Sequence, residues 1–245
     1  MFTPEGPTAR ELAVQAFSSI ERGYDLLAPK FEATPFRTPA PVLAAFAAGL
    51  KPLGPFADGL DLCCGTGAGT QALRGLCDRS VAGVDFSAGM LAAARATASG
   101  ADTPGDPTPR WVRADVRALP FAPGSFDLVA SFGAFGHFLP AERPELFAQV
   151  HRVLRPGGAF AFPVAAPPRV GSRGYWMLWG FDAVMRVRNA LWHPTFVMYY
   201  RTFRLADIRA ELAAAGFEVE TYALNELGMR PDGSPRCRTV VARRR

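Results

Sequence analysis

The chain has 245 residues, 49% hydrophobic and 20% charged, enough for one large domain with a substantial core, and this excludes wholesale disorder and collagen-like architecture. Its 27 cations, all arginine except Lys30 and Lys51, exceed its 22 acids by five. The arginines are scattered, dense only over 169–209 and at Arg243–Arg245, which reads as solvated surface rather than a nucleic-acid face.

In chain order, MFTPEGPTARELAVQAF lacks the cationic leader and apolar core of a secretory signal. Helices are expected over 8–28 and 38–50, separated by the proline-rich PFRTPAP. GLDLCC (strand), AGTQALRGLC (helix), SVAGVD (strand) and SAGMLAAARATA (helix) follow, then a loop, SGADTPGDPTP, dense in Gly, Pro and Asp. RWVRA and FDLVASF read as strands, and ERPELFAQVHRVL as a helix stopped by Arg155-Pro156-Gly157-Gly158. GAFAFPV is a further strand, LADIRAELAAAG a helix, and FEVETYAL with RTVVA the last strand pair. Strands alternating with helices predict an α/β fold, a Rossmann-like doubly wound sheet of seven strands, mostly parallel with the last antiparallel. Residues 1–245 are expected to form one domain, with 1–50 as an N-terminal helical cap and 165–202 as an aromatic-rich lid insertion. The most apolar stretch, Trp176–Tyr200, is interrupted by Asp182, Arg186, Arg188, Asn189, His193 and Pro194, so no membrane span is expected. Cys63, Cys64, Cys77 and Cys237 form neither a disulfide framework nor a zinc spacing. The expected compartment is the reducing cytoplasm, with no metal.

The turn Leu60-Asp61-Leu62-Cys63-Cys64-Gly65-Thr66-Gly67-Ala68-Gly69-Thr70 gives G-x-G-x-G after a strand and before a helix. Glycines there let a ligand approach the backbone closely. Thr70 stands where the dinucleotide fingerprint wants Gly or Ala. Asp61, four residues before the first glycine, repels a pyrophosphate and suits a ligand with a cationic amino group. Asp85 closes the next strand, where an acid accepts ribose hydroxyls. A helix-cap or turn role is the alternative for both acids.

With these residues the sequence resembles the class I S-adenosylmethionine-dependent methyltransferases, over about Asp58–Gly158 and again at Leu205–Val219. LDLCCGTGAGT is similar to the family's first motif, GVDFSAGML to its second, RADVRALPFAPGSFDLVASFGAFGHF to its third and fourth, and HRVLRPGGAFAF to its fifth. The resemblance implies S-adenosyl-L-methionine as cofactor and S-adenosyl-L-homocysteine as product. It implies that Asp61 and the Gly65–Gly67 backbone, with Cys63 and Thr66, hold the methionine moiety, and that Asp85 accepts from the ribose. Phe86 and Met90 would flank the adenine; Asp115 would accept from its amine, with Ala114 alongside and the Val116 N–H meeting a ring nitrogen. Ser131 and Phe132 would line the methionine end. Tyr24 and Arg37, in the N-terminal segment, are candidates for the cofactor carboxylate.

Methyl transfer from a sulfonium needs alignment and exclusion of water more than a covalent residue. His137, after the fourth strand, is a candidate base and acceptor contact, with a loop histidine bonded to backbone as its alternative; His193, in the insertion, is a weaker candidate. Tyr175, Trp176, Trp179 and Tyr199 are expected to contact the acceptor. Asp182, Arg186 and Asn189 make one polar stripe on an otherwise apolar helix. The apolar remainder must bury itself as core, as a homodimer interface or, the favoured reading, as a substrate lid.

The expected activity is methylation of an O or C nucleophile on a small, fairly apolar acceptor. RALPFAPGSFDLVAS is most similar to the subgroup of quinone, sterol and natural-product methyltransferases, but SFGAFGHF and the Trp-rich insert depart from the quinone pattern. A nucleic-acid methyltransferase, prompted by a pI near 9.3, is opposed by Ser131-Phe132-Gly133-Ala134, which stands where amino-directed enzymes of that kind usually carry an Asn/Asp-Pro-Pro-aromatic tetrad. A nicotinamide oxidoreductase is opposed by Asp61 and Thr70. A non-catalytic cofactor-binding protein is the remaining alternative.

Overall fold

The computed structural model describes residues 5–98, 105–193, 195, 197–199 and 204–245. Its strands are β1 Phe56–Leu62, β2 Cys77–Asp85, β3 Arg110–Arg113, β4 Phe126–Ser131, β5 Leu154–Ala165, β6 Phe217–Ala223 and β7 Cys237–Arg244. They form one seven-stranded sheet in the order β3-β2-β1-β4-β5-β7-β6. β1 to β5 pair in parallel, and β7 runs antiparallel to both β5 and β6, the arrangement the strand pattern predicts. The order reverses where β1 lies between β2 and β4, leaving a crevice at the carboxyl ends of β1 and β4.

Helices cover both faces. On one, α6 Arg143–Val153 and α8 Leu205–Ala214 set Phe147, Val150, Ile208 and Leu212 against Phe160, Phe162 and Val240. On the other, α3 Ala40–Leu50 and α4 Ala68–Arg74 set Phe46, Leu50 and Leu73 against Val81, Leu128 and Val241. Each such side chain stabilises the fold by about 1.5–3 kcal/mol relative to exposure. α5 Ala88–Ala98 follows β2.

Three boundaries differ from the expectation. The helix read over 8–28 divides into α1 Ala9–Ala16 and α2 Ile20–Leu27, because the Ser19 hydroxyl accepts from the Arg22 N–H at 3.3 Å and caps a new helix. α4 stops at Arg74, and Cys77, read as its end, opens β2 and pairs with Phe56 of β1. β5 begins at Leu154, so Arg155-Pro156-Gly157-Gly158 starts the strand as well as stopping α6, with Gly157 at φ +77°. Beyond β5, α7 Arg173–Leu191 is a single 19-residue helix, started by the Ser172 hydroxyl accepting from the Tyr175 N–H at 3.1 Å. Among the described residues no helix is long and apolar enough to cross a membrane.

Candidate active site

The crevice is built by the turn leaving β1. Cys63 takes φ +53°, a left-handed conformation rare for a side chain with a Cβ, and that sharp turn aims the loop at β2. Gly67 sits at φ +90° as the cap of α4, and a Cβ there would lie 2.7 Å from the Trp111 ring, so glycine is required. Gly65, at φ +53°, has open space where its Cβ would stand.

Two acids frame this loop. The Asp85 oxygens accept from the Gly65 N–H and the Ser87 N–H, each at 2.9 Å, leaving each oxygen a lone pair for a hydroxyl; burial raises its pKa. Asp61 is 1% exposed. Its Oδ2 accepts from the Thr70 hydroxyl at 2.8 Å, while Oδ1 has no hydrogen-bond partner among the described residues. Burial pushes Asp61 up to about 7, with the Thr70 bond opposing and the charge of Asp85 adding. An orphaned, buried carboxylate oxygen asks for a cationic donor, and the open space at Gly65 leaves room for a ligand that brings one. The residues present therefore fit a nucleoside with an aminoacyl tail.

A cavity of about 510 Å³ opens beside this loop and collects Tyr24, Cys63, Gly65, Asp85, Phe86, Met90, Ala114, Asp115, Val116, Phe132 and His137 from stretches far apart in the sequence. The N-terminal helices roof it. The Asp25 carboxylate of α2 accepts from the Ser87 hydroxyl at 2.6 Å and the Gly89 N–H at 2.8 Å, at the start of α5. The Thr66 hydroxyl donates to Glu32 at 2.5 Å.

His137 is held at both nitrogens. Val197's carbonyl can only accept, so Nδ1 carries the proton and donates at 2.8 Å. Nε2 then accepts from the Tyr24 hydroxyl at 2.7 Å. Burial lowers its pKa, which keeps the ring neutral.

A second cavity, about 940 Å³, lies between the ends of β4 and β5 and α7; Gly133 lines both. Tyr175 and Trp179 line this larger cavity, as does Asp182.

Other expected contacts fall elsewhere. Trp176 is 57% exposed and lines neither cavity, because it lies on the flank of α7. Tyr199 takes the Asn189 amide on its hydroxyl at 3.2 Å and the Arg186 guanidinium over its ring at 4.8 Å, which turns it to packing α7. His193 is exposed past the end of α7. Arg37 is exposed, with its guanidinium 4.0 Å from Glu32. The Ser131 hydroxyl is buried, donating to the Leu62 carbonyl at 3.3 Å. Asp115 lines the cavity, yet its carboxylate also caps the following turn through the Arg117 N–H at 2.9 Å and pairs with the Arg117 side chain. That pairing holds it below the usual carboxylate range. Sequence reading missed Asp25, Glu32, Phe31 and Phe36, whose proximity to the loop exists only in three dimensions, and Arg117, the cation adjoining Asp115.

Residues 60–158 match the family model of a methyltransferase domain, the span holding the glycine loop, both acids and β4. The chain belongs to the class I S-adenosylmethionine-dependent methyltransferases, and S-adenosyl-L-methionine is the cofactor of that class. It is 33% identical over 180 residues to the demethylmenaquinone methyltransferase of Thermus thermophilus, covering 69% of this chain and 78% of that protein. It is 40% identical over 171 residues to the 2-phytyl-1,4-naphtoquinone methyltransferase of Nostoc punctiforme, covering 66% and 73%. With other curated relatives the match spans about half their length. Among solved structures, an S-adenosylmethionine-dependent methyltransferase from Mesorhizobium loti is 25% identical with a TM-score of 0.56, covering 84% of this chain and 98% of that one.

Proposed function

We propose that the protein methylates an O or C nucleophile of a small, fairly apolar acceptor held in the 940 Å³ cavity under α7. The observation that carries this reading is Gly133, which borders both cavities and so joins the cofactor side to the acceptor side. When bound, S-adenosyl-L-methionine supplies a methyl group on a positively charged sulfur.

The chain's own residues do the rest. Asp61 Oδ1 receives the ammonium of the aminoacyl tail. Asp85 takes the ribose hydroxyls while its bonds to Gly65 and Ser87 keep the carboxylate fixed. Phe86 and Met90 flank the base, and Asp115, Ala114 and Val116 meet its edge. α7 acts as the lid, with Tyr175 and Trp179 walling the acceptor from water; holding the acceptor in line is the main source of rate, worth roughly 7–11 kcal/mol in a well-aligned pose. His137 is the candidate base, neutral and with Nε2 turned to the Tyr24 hydroxyl; both line the smaller cavity, so an acceptor whose nucleophile reaches past Gly133 passes its proton to Nε2 through Tyr24. The relatives named for quinone substrates support an aromatic, apolar acceptor class.

The test is S-adenosylhomocysteine formation across a panel of phenols, enols and quinols, run with Ala183→Trp, which fills the acceptor cavity, and with His137→Ala. Turnover falls at least about tenfold in each while calorimetric affinity for S-adenosylhomocysteine stays within about twofold. Full turnover by Ala183→Trp places the acceptor elsewhere.

A further inference from the structure

The two faces of α7 are inverted relative to an ordinary surface helix. Its inward face, with Tyr175, Leu178, Asp182 and Arg186, lines the larger cavity. Its outward face carries Met177, Val184, Val187 and Leu191, exposed by 68, 63, 60 and 75%. At about 100° per residue these four fall within an arc of about 80° directly opposite Asp182. Trp176 borders this stripe, and beyond the helix end exposed Trp192 packs on Phe17 of α1 with ring centroids 5.1 Å apart, carrying the patch onto a second element. An apolar face of that extent on a helix already satisfied on its other side requires a partner.

Charge selects which. Of the arginines between residues 169 and 192, Arg186 turns to the cavity, Arg169 and Arg173 are exposed and Arg188 is half-buried, while the one acid, Asp182, is buried on the far face. A second copy pairing through the same helix brings these arginines against one another, with no exposed carboxylate between residues 169 and 192 to answer them. A surface both apolar and anionic answers stripe and arginines together, and tryptophans at the edge of an apolar stripe are the side chains that sit at a lipid headgroup boundary.

We propose that the outward face of α7 is the docking surface for an anionic lipid bilayer, on which the helix lies in the plane of the membrane. The helix that closes the acceptor cavity then also faces the lipid.

The test is co-sedimentation of the full chain with vesicles of phosphatidylcholine alone and of phosphatidylcholine mixed with phosphatidylglycerol. Binding is about tenfold stronger to the anionic vesicles and weakens as salt rises. The double substitution Val184→Glu with Leu191→Glu lowers it about tenfold. It leaves thermal stabilisation by S-adenosylhomocysteine unchanged, which shows the variant is folded. Arg169→Glu with Arg173→Glu, both outside the packed core, abolishes the preference for anionic vesicles. Absence of vesicle binding, or binding indifferent to both variants, overturns the proposal. So does a stable dimer in light scattering that the glutamates dissociate, which assigns the face to a second copy.

Discussion

Asp61 and Asp85 divide the labour at the residue scale, and their environments make the division measurable. Asp85 bonds two backbone N–H groups of the loops it joins. Asp85→Ala slackens the cradle by removing both bonds and, on the proposed role, takes away the ribose acceptor at once. Charged hydrogen bonds are worth about 1.5–3 kcal/mol each, so affinity for S-adenosylhomocysteine falls about a hundredfold or more by calorimetry. Asp61 gives a pH signature. Its pKa rises from 3.8 to about 7 on folding, so between those values the folded protein keeps a proton that the unfolded chain has released. Stability of the ligand-free protein contributed at this site is then lost as pH rises from about 4 to about 7. A thermal melt series shows that decline, and Asp61→Asn removes it. Over the same range affinity for S-adenosylhomocysteine increases in the wild type as the carboxylate forms, and stays flat and weak in Asp61→Asn. Both acids were legible in the sequence because each ends a parallel strand beside a glycine turn. That the Ser131 hydroxyl turns to the Leu62 carbonyl and Arg37 toward Glu32 was not legible, because sequence position carries no side-chain direction.

At the scale of elements, the roof over the 510 Å³ cavity is tied to α5 through Asp25, beside the Glu32–Thr66 and Tyr24–His137 bonds. Asp25 of α2 places a carboxylate at the N-terminus of α5, where the Ser87 hydroxyl and the Gly89 N–H both donate to it and the helix dipole favours negative charge. Asp25→Ala loses about 1–3 kcal/mol at this contact, seen as faster amide exchange over α2 while β1 and β4 stay protected. Helix and strand identities followed from periodicity, but the break at Ser19 did not, because one serine cap overrides a helical run. α7 is where local pattern and tertiary placement part. Its polar stripe of Asp182, Arg186 and Asn189 was legible, but which side faced inward was not. Asp182 is buried while Val184 and Leu191 are exposed, the reverse of the ordinary amphipathic rule.

At the scale of the whole molecule, binding is coupled to folding because the cavity is assembled from α2, the loops after β1 to β4 and the segment following α7. A ligand at about a hundred times its dissociation constant adds about 2.7 kcal/mol to stability. S-adenosylhomocysteine accordingly raises the melting temperature and NAD does not, since Asp61 opposes a pyrophosphate; the reverse result returns the chain to nicotinamide chemistry. The sequence alone determined the sheet, its strand types, the glycine turn after β1 and the two acids that stand at it. These are local matters: backbone turns that need glycine, strands that need apolar residues, carboxylates set a fixed distance from a turn. Tertiary structure alone decided that Tyr24 and His137 meet, that Asp25 and Glu32 close the roof, and that α7 turns its polar side to a cavity. Those contacts join residues far apart in the chain, and their energies depend on which surfaces the folded core leaves to be covered.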